Sequence, residues 1–390
     1  MSTLGAVDSA SEQFVEPFEI KIAADVLDDL AARLAASRPP VSPVLDGGES
    51  PEVIARIDRL LRYWRTGYDW SAQERRLNAY PHFRTTIDGV GIHFIHATGT
   101  GPNPLPLLLI NGWPSSFVEY LGVLPALTAP ATGLDSFDVV VATLPGFGFS
   151  DRCEGMDVSQ PRVAQLLHRL MTERLGYGGY VAHGDDVGGG VVNHLGLSHT
   201  DAVLAIQTAN WLNPAIEDPS DLTEDEQAYL AADNEWDSTE GAYAHIQRTR
   251  PQTLAYGLND SPLGLAAWIL EKFLTWSDPL TRDELSADDL LSTVMIYWCT
   301  QTIASSMRRY AIPYSPPAAG QHVLAPTSVL APHEPKLPVP PLSWLRRGYA
   351  DLRRYVRIEP GGHFLALESP TRFVDEIRTA FQPFRLLTSG

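Results

Sequence analysis

Six short apolar runs constrain what this chain can fold into more than any other feature. LPLLLI (105–110), FDVVVATL (137–144), GYVAHG (179–184), LAIQTA (204–209), HVLAPTSVLA (322–331) and YVRIE (355–359) each read as a strand. LPLLLI has the unbroken apolar character of a strand buried on both faces. Helical patterns lie between several of the runs, notably over 160–175 and 189–198. Such alternation predicts an α/β fold, a mostly parallel sheet flanked by helices.

Two stretches fall outside that rhythm. At the start, AADVLDDLAARLAA (23–36) spaces its apolar groups for an amphipathic helix, RPPVSP (38–43) breaks it, and a second helix is expected over 51–66. IDGVGIHFIHA (87–97) then alternates as a strand would. The interval 212–312 is rich in Trp, Tyr and acidic residues and reads as helices, AAWILEKFLTW (266–276) and LLSTVMIYWCTQTIASSMRRY (290–310) being the clearest. A helical insertion between two strands makes a natural lid over the carboxyl ends of a parallel sheet, where such sheets place their ligands. The chain therefore divides into an N-terminal helical and meander segment (1–90), a first part of the core (91–211), a lid (212–312) and a second part of the core (313–390).

Composition narrows the partners. With 44% hydrophobic residues the chain can bury a large core, and a net charge of −18 without clustered Lys or Arg argues against nucleic acid. Cys153 and Cys299 lie far apart, without disulfide or zinc spacing, and are expected as buried free thiols. MSTLGAVDSASEQF lacks a basic segment followed by an apolar one, and no apolar run approaches the ~20 residues of a membrane span. A soluble cytoplasmic protein with no membrane contact is the expectation.

The third run leads into AHGDDVGGGV (182–191). A sharp strand-to-helix turn that presents a nucleophile needs small residues two positions before and after it, because bulkier ones strike the facing strand and helix. Centred on Asp186 the flanks are Gly184 and Gly188; centred on Asp185 they are His183 and Val187, which do not fit. Asp186 is the candidate nucleophile, an aspartate that can attack an electrophilic carbon and form an ester for water to cleave. The serine form of the motif, G-x-S-x-G, occurs nowhere in the chain. His183, Asp185 and Asp186 could instead bind a metal, but no second cluster follows at useful spacing. A phosphate cradle lacks its motif, since GFGFSD (146–151) has Asp151 where a third glycine belongs. A plain polar turn stays open on these residues alone.

Ester cleavage needs a base, and the chain order nucleophile, acid, histidine points to His363 in EPGGHF, after the last strand. Glu334 in VLAPHEP follows the preceding strand and is placed to orient it. Glu368 reads as a cap or anchor for the helix that follows. NGWPSS (111–116) follows LPLLLI and is placed for an oxyanion hole, with the backbone N–H groups of Trp113 and Val187 aimed at the ester oxygen.

Taken together, NGWPSSFVEY, LPGFGFSD, GDDVG and PGGHFLALESP resemble, in the right order, the motifs of microsomal-type epoxide hydrolases of the α/β-hydrolase fold. The likeness extends to FEIKIAADVLDDLAARL and DWSAQERRLNAYPHFRTTIDGVGIHFIH at the start, and to AYAHIQRTRPQTLAYGLNDSPLGLAAWILEKFLTWSD in the insertion. It implies a helical lid, an N-terminal wrapping segment, and a catalytic triad of Asp186, His363 and Glu334. It also implies two lid tyrosines on the epoxide oxygen, Tyr243 in GAYAHIQ and Tyr310 in SSMRRY. The implied reaction turns an epoxide and water into a vicinal diol through an aspartyl ester, with no metal or organic cofactor. A homodimer is one expected assembly. The likeness runs closest to actinomycete enzymes of enediyne antibiotic biosynthesis. Trp113, Trp236 and Trp276 suggest an aromatic or bulky apolar substrate, with Trp236 as a pocket residue.

Three positions depart from the family pattern: Asn111 replaces a usual histidine, Val187 a frequent tryptophan, and Asp185 adds a carboxylate beside Asp186. The two aspartate side chains are expected to diverge, with little effect on Asp186. Two rival functions are a haloalkane dehalogenase, which shares the aspartate elbow, and a catalytically silent fold that only binds an apolar ligand.

Overall fold

The computed structural model describes residues 14–40, 50–131, 134–312, 317–318 and 320–388. The opening segment and part of RPPVSP lie outside the described residues. The N-terminal portion runs β1 (Glu16–Pro17), α1 (Ala24–Ala36), α2 (Pro51–Thr66), α3 (Trp70–Leu77), β2 (His82–Ile87) and β3 (Val90–Ala97). Pro51 sits in the first turn of α2, where its missing N–H costs nothing, and the Asp69 side chain caps α3 by accepting from Ala72 N–H. The stretch 87–97, read as one strand, is half of a hairpin. Asp88 and Gly89, both at positive φ (51° and 74°), form the two-residue turn that pairs Ile87 with Val90.

The core continues with β4 (Leu105–Ile110), α4 (Val118–Leu121), α5 (Leu124–Thr128), β5 (Phe137–Ala142), α6 (Gln160–Arg169), β6 (Tyr180–Gly184), α7 (Asp186–Ser198) and β7 (Val203–Thr208). Helices α8 (Glu224–Thr239), α9 (Ala242–Thr249), α10 (Pro251–Asp260), α11 (Pro262–Trp276), α12 (Ala287–Thr300) and α13 (Ile303–Ala311) come next. A capping box between Thr223 and Glu226 starts α8, and the Ser261 and Ser286 side chains cap α11 and α12. The stretch 290–310 is two helices rather than one. Gln301 takes a left-handed conformation (φ 54°) that ends α12 and turns the chain into α13. The chain closes with β8 (Thr327–Pro332), α14 (Leu342–Gly348), β9 (Leu352–Ile358), α15 (Leu365–Glu368) and α16 (Pro370–Phe381). β8 starts later than the apolar run did. Val323 makes only an isolated bridge to Tyr349, and Pro326 has no N–H to offer a ladder.

The nine strands form one sheet in the order β1-β2-β3-β5-β4-β6-β7-β8-β9. From β5 to β9 every pairing is parallel, while β1, β2 and β3 join antiparallel at one edge. This is the α/β-hydrolase fold. All six residues of β4 are buried, as the unbroken apolar run requires. The order reverses at β4, which lies between β5 and β6. Such a reversal opens a crevice at the carboxyl ends of the strands, here bordered by the turns after β4 and β6. No described helix is long and apolar enough to cross a membrane.

Candidate active site

The β6–α7 turn packs backbone against backbone. A Cβ on Gly188 would lie 2.1 Å from the Ile110 carbonyl oxygen, and one on Gly184 would lie 2.4 Å from that of Gly188. Glycine at these two flanks lets β4, β6 and α7 approach closely. Between them Asp186 takes φ 43°, a left-handed conformation uncommon outside glycine, which lifts its side chain out of the turn. Its backbone carbonyl accepts from Asn210 Nδ2 at 2.6 Å. Trp113 N–H donates to Asp186 Oδ1 at 2.9 Å. The Asn111 side chain donates to the Gly112 carbonyl, which braces the same loop. Val187 lies one residue into α7, in the first turn, where N–H groups have no intrahelical acceptor.

The two aspartates diverge. Asp185 turns into the protein, where its Oδ2 accepts from Tyr120 O–H at 2.8 Å, while Asp186 faces Trp113. His183 turns a third way, to Gln207. The three side chains therefore converge on no common point, and the metal reading of GDD finds no support in the geometry. Among the described residues another His and Asp cluster does exist, with ligand atoms of His168, His199 and Asp201 within 4.8 Å of one another. The two imidazoles stack with centroids 4.2 Å apart and planes within 16°. Imidazole lone pairs lie in the ring plane, so this stacking does not aim both nitrogens at one ion.

His363 and Glu334 meet as expected, Nδ1 to Oε2 at 2.6 Å. Burial pulls the His363 pKa down, but the Glu334, Asp186 and Asp185 carboxylates outweigh it and the pKa stands at about 10. The imidazole is therefore protonated at neutral pH while Asp186 is free.

Helices α9 and α13 bring Tyr243 and Tyr310 together, with ring centroids 5.9 Å apart. Trp113 stacks on Tyr243 at 5.6 Å, and Trp276 reaches both Tyr243 (5.0 Å) and His363 (4.9 Å). Burial holds both phenols well above the usual tyrosine pKa, and the Asp186 carboxylate adds to the effect. Both tyrosines therefore keep their protons at neutral pH. Trp236 is not part of this group. It is half-buried on α8 and makes no ring contact with the aromatic cluster among the described residues. The cysteines also differ from expectation: Cys153 is buried but Cys299 is half-buried, and burial pushes their thiols up to about 11 and about 12.

Several groups that hold the site escaped the sequence reading. Glu368 does not cap the helix after it. Its carboxylate accepts from the N–H groups of Gly362, Phe364 and Asp278 and from the Thr281 hydroxyl, which ties the His363 loop to the end of α11. Asp278 completes the tie, accepting from Gly361 N–H and facing His333 at 3.2 Å. A lone acidic residue five places after a histidine carries no local sign of such reach, since its partners at Asp278 and Thr281 lie in the lid. Glu368→Ala leaves three buried N–H groups without an acceptor and is expected to lower stability by about 3 kcal/mol or more. Urea unfolding measures this, and a midpoint equal to wild type contradicts the anchoring role.

The chain resembles known proteins over nearly its whole length. Residues 15–120 match the family described as epoxide hydrolase N terminus, and residues 106–252 match the alpha/beta hydrolase fold. The juvenile hormone epoxide hydrolase of Bombyx mori is 35% identical over 96% of this chain and 87% of its own length. A crystal structure of the silkworm enzyme superposes with TM-score 0.85 at 32% identity, covering 98% of this chain and 97% of the other. The Aspergillus niger epoxide hydrolase structure gives TM-score 0.81 at 28% identity, covering 96% and 98%. On this match in sequence, fold and length, the chain belongs to the epoxide hydrolase family of α/β-hydrolase enzymes.

Proposed function

We propose that this chain hydrolyses an apolar, aryl-bearing epoxide to a vicinal diol in two steps, with Asp186 as a covalent nucleophile. The observation that carries the reading is the Trp113 N–H bond to Asp186 Oδ1. It holds one carboxylate oxygen where an ester carbonyl would lie and leaves Oδ2 as the attacking atom. Oδ2 bonds to an epoxide carbon, the carbon–oxygen bond breaks, and Tyr243 and Tyr310 donate to the oxygen as it becomes an alkoxide.

The protonated His363 balances this step. Opening the ring consumes one proton, which the imidazolium supplies by way of the tyrosines and the alkoxide. Esterification also removes the Asp186 charge, one of the three anions that hold His363 protonated. The neutral imidazole, oriented by Glu334, then takes a proton from water as hydroxide adds to the ester carbon. The N–H groups of Trp113 and Val187 stabilise the oxyanion, the tetrahedral species collapses, and the diol oxygen takes the proton from His363. The released carboxylic acid returns its proton to the imidazole, which restores the resting state.

Ring faces of Trp113, Trp276, Tyr243 and Tyr310 support the aryl substrate class, since such surfaces favour flat apolar groups. A place in enediyne antibiotic biosynthesis is part of this proposal, and it makes bulky aryl epoxides the first compounds to assay. A single turnover with excess protein in ¹⁸O-water tests the covalent step. The first diol should carry ordinary oxygen from Asp186, and immediate uptake of label would mean that water attacks the ring directly. Halide release without diol formation would favour the dehalogenase instead.

The tyrosines give a separate prediction. Tyr243→Phe and Tyr310→Phe should each slow ring opening by about 10²-fold while hydrolysis of the preformed ester keeps its rate. Rapid quench separates the two steps, and equal slowing of both would remove the tyrosines from the first.

A further inference from the structure

Behind the elbow lies a pair of buried carboxyls that this two-step scheme does not use. Asp185 is 7% exposed, and Glu119 on α4 is 1% exposed. Neither carboxyl oxygen of Glu119 meets a donor in good hydrogen-bond geometry among the described residues, and its polar neighbours are Ser115 and Asp185. Asp185 has the opposite surroundings, with Tyr120 O–H donating at 2.8 Å. An ionised carboxylate with no donor in a dry interior is costly, whereas a protonated one needs only an acceptor. Asp185 is the acceptor within reach.

We propose, resting on the two-step reading above, that Glu119 and Asp185 act as a unit, an un-ionised carboxylic acid donating its proton to a carboxylate. The unit fixes one negative charge behind the elbow and keeps His363 basic enough to take a proton from water once Asp186 has become an ester. Both are positioning residues, because they act through His363 and touch no reacting atom.

The electrostatics agree with this division of roles. Burial, then the Asp185 charge, hold the Glu119 carboxyl well above the ordinary glutamate range. Burial raises Asp185 to about 6, restrained by His363 and by the hydrogen bonds from Tyr120 and Glu119, so it is ionised at neutral pH. The remaining groups around the pair leave its charge alone. His183, edge-on to Tyr120, has a pKa lowered to about 3 and stays neutral. Tyr297 of α12 donates to the Ser115 carbonyl and is held far above the usual phenol range by burial. Thr293 of α12 bonds Ser116, and Glu368 of α15 is engaged with the His363 loop. On the far side, His363 sees Glu334, Asp186 and Asp185. With Asp186 esterified, Glu334 and Asp185 are the anions left to it.

The sign of each substitution follows. Asp185→Asn removes the charge and should lower the pKa of His363 in the ester state. The acid limb of ester hydrolysis then moves down by about one pH unit. Glu119→Gln replaces a neutral acid by a neutral amide that can still donate to Asp185, so the same limb should stay at its wild-type midpoint. If Glu119 were ionised, Glu119→Gln would also delete a charge and shift the limb downward like Asp185→Asn. If the pair had only a packing role, neither substitution would shift it.

The test measures the pH dependence of single-turnover hydrolysis in wild type, Asp185→Asn and Glu119→Gln, with ester accumulation followed by intact mass. Infrared spectra at neutral pH are recorded alongside. The expected result is a downward shift in Asp185→Asn alone, with a protonated-carboxyl band in wild type that Glu119→Gln lacks. A shift in Glu119→Gln, no shift in Asp185→Asn, or a wild-type spectrum without that band overturns the proposal. Should no ester form in any of the proteins, the covalent reading fails, and the infrared band alone decides whether Glu119 holds its proton.

Discussion

Replacing Asp186 by asparagine is expected to abolish turnover, by at least about 10⁴-fold in kcat, while the protein stays folded. The loss follows from chemistry, since an amide nitrogen or oxygen cannot replace a carboxylate oxygen as nucleophile toward an epoxide carbon. Retention of the fold follows from the backbone. Asp186 sits at φ 43°, and asparagine enters that left-handed region more readily than most side chains. The asparagine carbonyl can also keep the bond from Trp113 N–H, which Asp186 Oδ1 accepts at 2.9 Å. An alanine there would lose both features and confound catalysis with strain. Kinetics and urea unfolding, run on a preparation checked by mass for deamidation, separate the two effects. A folded Asp186→Asn protein that still turned over epoxide without deamidation would falsify the nucleophile assignment.

What the sequence made legible was what short-range rules govern. The glycines around Asp186 declared a close approach of backbones, and Gly184 and Gly188 do meet main-chain atoms of neighbouring elements. The continuous apolar run of β4 declared burial on both faces, and all six residues are buried. The order of nucleophile, acid and histidine along the chain singled out Glu334 and His363, which pair at 2.6 Å. The Asp88–Gly89 turn was missed in a stretch read as one strand, although an Asp-Gly pair between apolar stretches is a strong hairpin sign. The polar residues of HFRTT concealed β2 as the strand before it.

What stayed hidden depends on groups distant in sequence. Tyr243 and Tyr310 could not be picked from 14 tyrosines by local pattern and came only from the resemblance. Glu119 looks like any exposed helix residue until α4 is packed beneath the elbow, 66 positions before its partner Asp185. Tryptophans show the same limit: aromatic character alone does not tell which ring meets the site, and among the described residues it is Trp276 that contacts Tyr243 and His363. The pKa of His363 was also beyond composition, since it needs three carboxylates gathered from separate turns and loops.

That protonated histidine shapes the other large expected effect. His363→Gln should stop the cycle halfway, so that protein accumulates with one substrate mass added and ester hydrolysis falls by about 10⁴-fold. Glutamine keeps a donor toward Glu334, which is 6% exposed and would otherwise be left buried without its partner. It cannot take a proton from water, so the second step has no base. The first step should also slow, but less, because the imidazolium that supplies a proton to the alkoxide is gone while Tyr243 and Tyr310 still donate. The two losses differ in their response to pH. Without the imidazolium, ring opening draws its proton from solvent and should quicken as pH falls, whereas the residual ester hydrolysis should depend on hydroxide and quicken as pH rises. Intact mass and peptide mapping should place the adduct on Asp186. An enzyme lacking His363 that neither accumulates the ester nor turns over would mean that the histidine is required before the carbon–oxygen bond breaks. The proton route by way of the tyrosines would then have to give way to direct donation from the imidazolium.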